Sequence, residues 1–254
     1  MRPDWRQTIP VTRLNPVYAA ARAVLFDLDG TLRHSEPTGF EAFTLFLTEL
    51  GCALTPDQQA HAERWSHYYW AIAPELKSDI EELGADTPAF WRRHAERQVA
   101  AFNVSETRSA ALADRVHGLF QERYHPVNRV EADVRPTLAA LRAAGRVVGL
   151  VSNRSLPLGP LVTELGLADL FDFTLAAGEV GAWKPAPEIF HRAVALAACS
   201  PETAVYVGDN YYADIEGARG AGLPPVLFDP RGLFREPGCP VVRRIGEVPG
   251  LLGL

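Results

Sequence analysis

Residues 24–32 read VLFDLDGTL, and the placement of the two aspartates in that run decides what fold the chain can have. Side chains at i and i+2 of an extended segment share a face, so Asp27 and Asp29 would point the same way in a strand. Two carboxylates side by side repel each other unless a proton or a cation joins them. Asp-Gly is also a strong hairpin signal. The run therefore reads either as a buried strand that delivers a pair of acids to a site, or as one arm of a hairpin turning at Asp29-Gly30.

Working outward, residues 21–27, ARAVLFD, form a short apolar run ending in a polar cluster, the pattern of a strand buried on both faces. From about Pro37 to Tyr124 the character changes. Residues 38–50 (TGFEAFTLFLTEL), 56–72 (PDQQAHAERWSHYYWAI), 87–102 (TPAFWRRHAERQVAAF) and 106–124 (ETRSAALADRVHGLFQERY) carry apolar residues at helical spacing. Pro, Gly or capping threonines such as Thr38, Thr55 and Thr87 bound them. Four successive helices with no strand between them predict a helical subdomain. After residue 130 the rhythm alternates, with strands RVVGLVS, FDFTLAA, AVYVGD and PPVLFD separated by helices RPTLAALRAAG, LGPLVTELGL, PEIFHRAVALAA and ADIEGARGAG. That alternation predicts a doubly wound, Rossmann-like parallel sheet with helices on both faces. The strand at 24–27 joins this sheet, and the helical segment is an insertion. The expected organisation is an extension over 1–21, a core domain over 22–34 and 130–254, and a helical cap over 35–129.

Composition is that of an ordinary globular chain: 254 residues, 47% hydrophobic, 22% charged. A formal charge of −6 gives no basic field for nucleic acid and does nothing to attract an anionic substrate. A phosphate site would have to be built locally. Cys52, Cys199 and Cys239 are odd in number and far apart, which argues against a disulfide framework or a zinc site and fits a reducing cytoplasm. The N-terminal arginines lead into no apolar core, so this segment is read as an extension rather than a signal peptide. No run approaches the length of a membrane span.

In an open parallel sheet, ligands bind beyond the carboxyl ends of the strands. Those ends carry Asp27 and Asp29, Ser152-Asn153, Lys184 in a loop, and Asp209 with Asp214. A nucleophile candidate, hydrogen-bond donors, one cation and a carboxylate cluster are the inventory phosphoryl transfer needs, because its catalysis is mostly positioning and charge neutralisation. Four carboxylates against a single lysine would be strained or partly protonated without a divalent cation.

DLDGT, LVSN, GAWKPAPEIF and VGDNYYADIEGA resemble, in order and in context, the four motifs of the haloacid dehalogenase-like hydrolase superfamily. The helical insert resembles the cap of its C1-capped members, and the likeness covers about residues 22–230. The resemblance implies Asp27 as a nucleophile forming an aspartyl-phosphate. It implies Asp29 as general acid–base, with its main-chain carbonyl on the metal. Ser152 is implied as a phosphoryl-oxygen donor, Lys184 as the cation linking nucleophile and phosphate, and Asp27, Asp209 and Asp214 as carboxylates around Mg²⁺. Gly30 lets the chain turn away after the pair. Gly30, Asn153, Arg33 and Arg154 are candidates for substrate contact, although both arginines read equally well as exposed surface residues.

The expected activity is Mg²⁺-dependent hydrolysis of a small phosphorylated metabolite, with no nucleic-acid or membrane partner. A phosphomutase resembling β-phosphoglucomutase remains open, as does a non-catalytic phosphate- or metal-binding protein on the same fold. Dehalogenation is disfavoured because it needs neither Asp29 nor the full acidic set. Phosphonate cleavage would need a cap lysine, and the single one, Lys77, reads as exposed beside Ser78, Asp79 and Glu81. Trp65, Tyr68, Tyr69 and Trp70 could wall a substrate site, but aromatics on one helical face read first as bundle core.

Overall fold

Strand β1 (Ala23–Phe26) is buried along its whole length. Val24 and Phe26 enter one apolar cluster, and Ala23 and Leu25 enter the other. This two-residue alternation with both faces covered makes β1 a central strand. The computed structural model describes residues 16–104 and 106–254. The first fifteen residues of the expected N-terminal extension lie outside the described residues. Pro16–Ala19 form one helical turn that buries Tyr18, whose hydroxyl donates to the Pro225 carbonyl at 3.0 Å.

In chain order the remaining strands are β2 (His34–Glu36), β3 (Val127–Arg129), β4 (Val147–Ser152), β5 (Phe173–Ala176), β6 (Ala204–Gly208), β7 (Pro225–Phe228) and β8 (Val241–Val242). Six of them form one parallel sheet in the order β5-β4-β1-β6-β7-β8, while β2 and β3 pair separately. The chain steps outward from β1 to β4 and β5, then returns to β6 on the other side of β1. That reversal puts the switch point of a doubly wound sheet at the carboxyl end of β1, where such sheets bind ligands. The fold is the predicted α/β, Rossmann-like one.

The chain divides into two compact units, one holding residues up to His34 and from Asn128 to Leu254, the other Ser35–Val127. The second is helical, as its 3.6-residue patterning predicts. Thr38 and Thr55 each accept from the backbone N–H three residues on, completing capping boxes with Glu41 and Gln58. The sequence reading missed one helix here, Pro74–Leu83. Its apolar positions, Leu76, Ile80 and Leu83, keep helical spacing but are few among the charges. That helix buries Asp79, while Lys77 two residues earlier is exposed, as its surroundings predict. Arg97 grips Asp79 through two bonds of 2.7 and 2.8 Å, and the Tyr69 hydroxyl donates to it at 3.0 Å. Tyr69 is fully buried and stacks on Trp65, so this part of the aromatic cluster is interior packing within its unit. Tyr68 is partly buried and Trp70 is 39% exposed.

Candidate active site

Asp27 directly follows β1, and its backbone N–H donates to Val207 O at 2.9 Å, extending the β1–β6 ladder by one bond. The nucleophile candidate thus sits on rigid sheet. Residues 28–33 then fold into a tight loop, in which Thr31, Leu32 and Arg33 donate to Leu28 O and Gly30 donates to Arg33 O. Gly30 has φ of +92°, and a Cβ there would lie 2.4 Å from Asp209 Oδ2. Glycine serves two needs at that position: a left-handed turn and room for a carboxylate.

Asp209 directly follows β6. Asp214 lies in a widened helical turn (Tyr211–Glu216), where its Oδ2 accepts from Asn210 N at 2.9 Å. Asn210 in turn accepts from the N–H groups of Tyr212 and Ala213. The sequence predicts a regular helix from Ala213, and the structure widens its first turn where these polar contacts gather. Gly208 lacks the Cβ that would fall 2.4 Å from the Asp214 carboxyl carbon.

Lys184 is 3% exposed and donates to Asp27 Oδ1 and to Asp214 Oδ1, both at 2.6 Å. Its loop is fixed from β4. Asn153 Oδ1 accepts from Lys184 N at 2.7 Å, while Asn153 Nδ2 donates to Lys184 O at 3.0 Å. The Asn153 side chain, expected to face substrate, is engaged at both ends in holding this lysine. Ser152 ends β4 and is buried.

Oxygens of Asp27, Asp209 and Asp214 lie within 4.8 Å of one another. Burial, followed by the charges of Asp214 and Asp29, pushes the Asp27 carboxyl up to about 7, with Lys184 offsetting only part of the rise. Burial and the charges of Asp27 and Asp214 likewise raise Asp209 well above the usual carboxylate range. For Lys184, burial alone would lower the ammonium, but Asp214 and Asp27 outweigh it and hold it well above its ordinary value. Three carboxylates against one ammonium carry excess negative charge, and all their donor atoms are hard oxygens. This set fits Mg²⁺ or a similar divalent cation.

One residue outside the sequence-derived set belongs in it. Thr31 is fully buried, and its hydroxyl lies 3.2 Å from both Asp27 Oδ2 and Asp209 Oδ1 while accepting from Asp209 N at 3.0 Å. Its place one residue after Asp-Gly was the available signal. The Asp29 carboxylate lies outside the acidic trio. It accepts from Arg33 Nη1 at 2.9 Å and from Arg154 Nε and Nη2 at 2.7 and 2.8 Å. The open reading of the two arginines as surface residues is thereby narrowed, since both attach to Asp29.

A family model described as haloacid dehalogenase-like hydrolase matches residues 21–222. The chain belongs to the haloacid dehalogenase-like hydrolases. This hydrolase is 32% identical over 216 residues to ribulose-1,5-bisphosphate 5-phosphatase from Halopiger xanaduensis, covering 83% of this chain and 85% of that protein. It is 30% identical over 209 residues to phosphoglycolate phosphatase from Yersinia pseudotuberculosis, covering 82% and 80%. Among solved structures it is similar to 2-haloacid dehalogenase from Pseudomonas syringae pv. Tomato DC3000, with TM-score 0.51, 26% identity, and 92% and 98% of the two chains covered. A phosphatase of the same family from Thermococcus onnurineus shares the fold at TM-score 0.52 and 24% identity, over 91% and 98%. Among the described residues of this hydrolase no helix is long and apolar enough to cross a membrane.

Proposed function

We propose that this haloacid dehalogenase-like hydrolase cleaves the phosphomonoester bond of a small metabolite, with Mg²⁺ as cofactor and Asp27 as nucleophile. The observation that carries the reading is the Asp27 carboxylate at the switch point, 2.6 Å from a buried lysine and inside a cluster of acids. An Asp27 oxygen attacks phosphorus and the bond to the ester oxygen breaks. Asp29 gives its proton to the departing alcohol. Asp29 then takes a proton from water, the water oxygen attacks the aspartyl-phosphate, and Asp27 and inorganic phosphate are regenerated. Lys184 holds Asp27 in line and meets phosphoryl charge, and Ser152 donates to a phosphoryl oxygen. Asp27, Asp209 and Asp214, with the Asp29 carbonyl, would hold the cation, which neutralises charge on the transferring group.

The named phosphatase relatives support this choice over halide displacement, which would use Asp27 but leave Asp29, Asp209 and Asp214 without the tasks of acid and metal ligands. The test is phosphate release from p-nitrophenyl phosphate and a panel of metabolite monoesters, beside chloride release from 2-chloropropionate. Magnesium-dependent phosphate release that Asp27→Asn abolishes is expected. Undiminished turnover in EDTA would remove the metal assignment, undiminished turnover in Asp27→Asn the nucleophile, and chloride release alone the whole reading. Product analysis with phosphorylated sugars separates hydrolysis from transfer to a second hydroxyl.

A further inference from the structure

Asp29 is held by two guanidinium groups, and this arrangement bears on the substrate. Its Oδ1 accepts from both Arg33 and Arg154, and its Oδ2 accepts from Arg154 as well. Among the described residues it is the only carboxylate paired with either arginine. One carboxylate between two guanidiniums leaves a net positive charge, beside a site whose other acids are gathered around Asp27. The two arginines differ in how they are fixed. Arg33 also donates through Nε to Asn128 Oδ1 at 2.7 Å, and Asn128 donates to Glu164 at 3.0 Å. Arg154 has no such second tether among the described residues, and its side chain is 41% exposed. It stands two residues beyond the end of β4, the strand paired with β1.

A carboxyl gripped through both oxygens cannot place one of them on a leaving group, and geometry precedes acidity in acid catalysis. A pair exposed to this degree contributes little net free energy and is therefore cheap to exchange. The grip is released when Arg154 finds another planar or tetrahedral anion for its two-pronged face. We propose that Arg154 is a specificity residue for a substrate that carries a second anionic group, carboxylate or phosphate, on the alcohol side of the ester. Binding transfers Arg154 from Asp29 to that group and frees Asp29 to protonate the departing oxygen, while Arg33, tethered by Asn128, stays to position it. This deepens the phosphomonoesterase reading and rests on its assignment of Asp29.

The test uses non-hydrolysable phosphonates of matched length, titrated calorimetrically into the full chain with Mg²⁺. 3-Phosphonopropionate and propane-1,3-bisphosphonate carry the second anion, and propylphosphonate lacks it. The wild type should bind at least one of the first two about tenfold or more tighter than propylphosphonate, the scale of a charge-assisted bidentate contact. The preferred one identifies the second anion. Arg154→Gln should reduce that ratio to near one, and Arg154→Lys, which keeps the charge without the fork, should restore part of it. Equal binding of all three by the wild type, or a ratio that survives Arg154→Gln, overturns the proposal. Phosphate release is scored separately: an intact, Arg154-dependent preference without turnover of any ester supports the anion site and removes the hydrolase reading.

Discussion

Replacing His94 with phenylalanine should make the helical unit resistant to mild acid. His94 is 6% exposed, its Nε2 has no hydrogen-bond partner among the described residues, and rings surround it. Trp70 lies 4.9 Å away between centroids, Tyr69 5.3 Å, Phe43 and Trp91 5.8 Å, and Trp65 6.5 Å. Such an apolar box disfavours the imidazolium. Burial pulls His94 from 6.5 down to about 4, and the Asp79 charge offsets only part of the drop. The unfolded chain therefore binds a proton below pH 6.5 that the folded chain refuses until about pH 4. Stability contributed by the neutral ring is complete above pH 6.5 and is lost as pH falls through that window. At about 1.4 kcal/mol per unit, the loss is on the order of 2 kcal/mol at pH 5 and about 3 kcal/mol by pH 4. Asp79 does not blur the window. Burial alone would raise it, but bonds from Arg97 and Tyr69 and the charges of Arg97 and Arg93 bring it below its ordinary value, so its own loss comes at lower pH. The assay is urea unfolding at pH 7.5 and pH 5.0, followed by tryptophan fluorescence, because Trp65, Trp70 and Trp91 ring the histidine. His94→Phe keeps an aromatic ring in the box and should lose about 2 kcal/mol less than the wild type between the two pH values. An equal acid response in the two proteins refutes the reasoning.

Three further outcomes are expected. Gly30→Ala, which forces a Cβ onto the Asp209 carboxylate at a positive φ, should destabilise the protein by about 1–3 kcal/mol and weaken Mg²⁺ binding, read by thermal unfolding and calorimetry. Thr31→Val keeps the shape but leaves Asp209 N without its acceptor. It should cost about 1–3 kcal/mol in chemical denaturation, with Thr31→Ser retaining most of the stability. Saturating Mg²⁺ at a hundred times its dissociation constant should stabilise the wild type by about 2.7 kcal/mol. A matching gain in Asp209→Asn would mean that the ion binds elsewhere.

Five of the six sheet strands were legible as short apolar runs, while the edge strand β8, two residues long, leaves no pattern to read. The helix Pro74–Leu83 has apolar residues at helical spacing, Leu76, Ile80 and Leu83, but its buried residue is the charged Asp79, and no periodicity announces the pairing of Asp79 with Arg97. Strands β2 and β3, three residues each, carry almost no apolar pattern at all. At the site, Asp27 and Asp209 could be read because each closes a buried apolar strand, and Lys184 and Asp214 because they stand in the loop after β5 and the turn after β6 within the motifs quoted above. The two-ended use of Asn153 and the grip of Arg154 on Asp29 could not. Which partner a long polar side chain chooses is settled by tertiary distance, and 125 positions separate Arg154 from Asp29.

The order of the strands has a consequence for how the chain is made. β1, wholly apolar and destined for the middle of the sheet, leaves the ribosome long before either of its neighbours. Val147, the partner of Ala23 in β4, is 124 positions downstream, and Ala204 in β6 is 181. At synthesis rates of about 5–20 residues per second, β1 waits roughly 6–25 s for its first partner. Over that interval its sticky edges are open to other nascent chains, while the helical insert, local in its contacts, is free to close. Overproduction should therefore be limited by capture of this one strand, and slower growth or an added holdase should raise yield more than any gain in the stability of the finished fold.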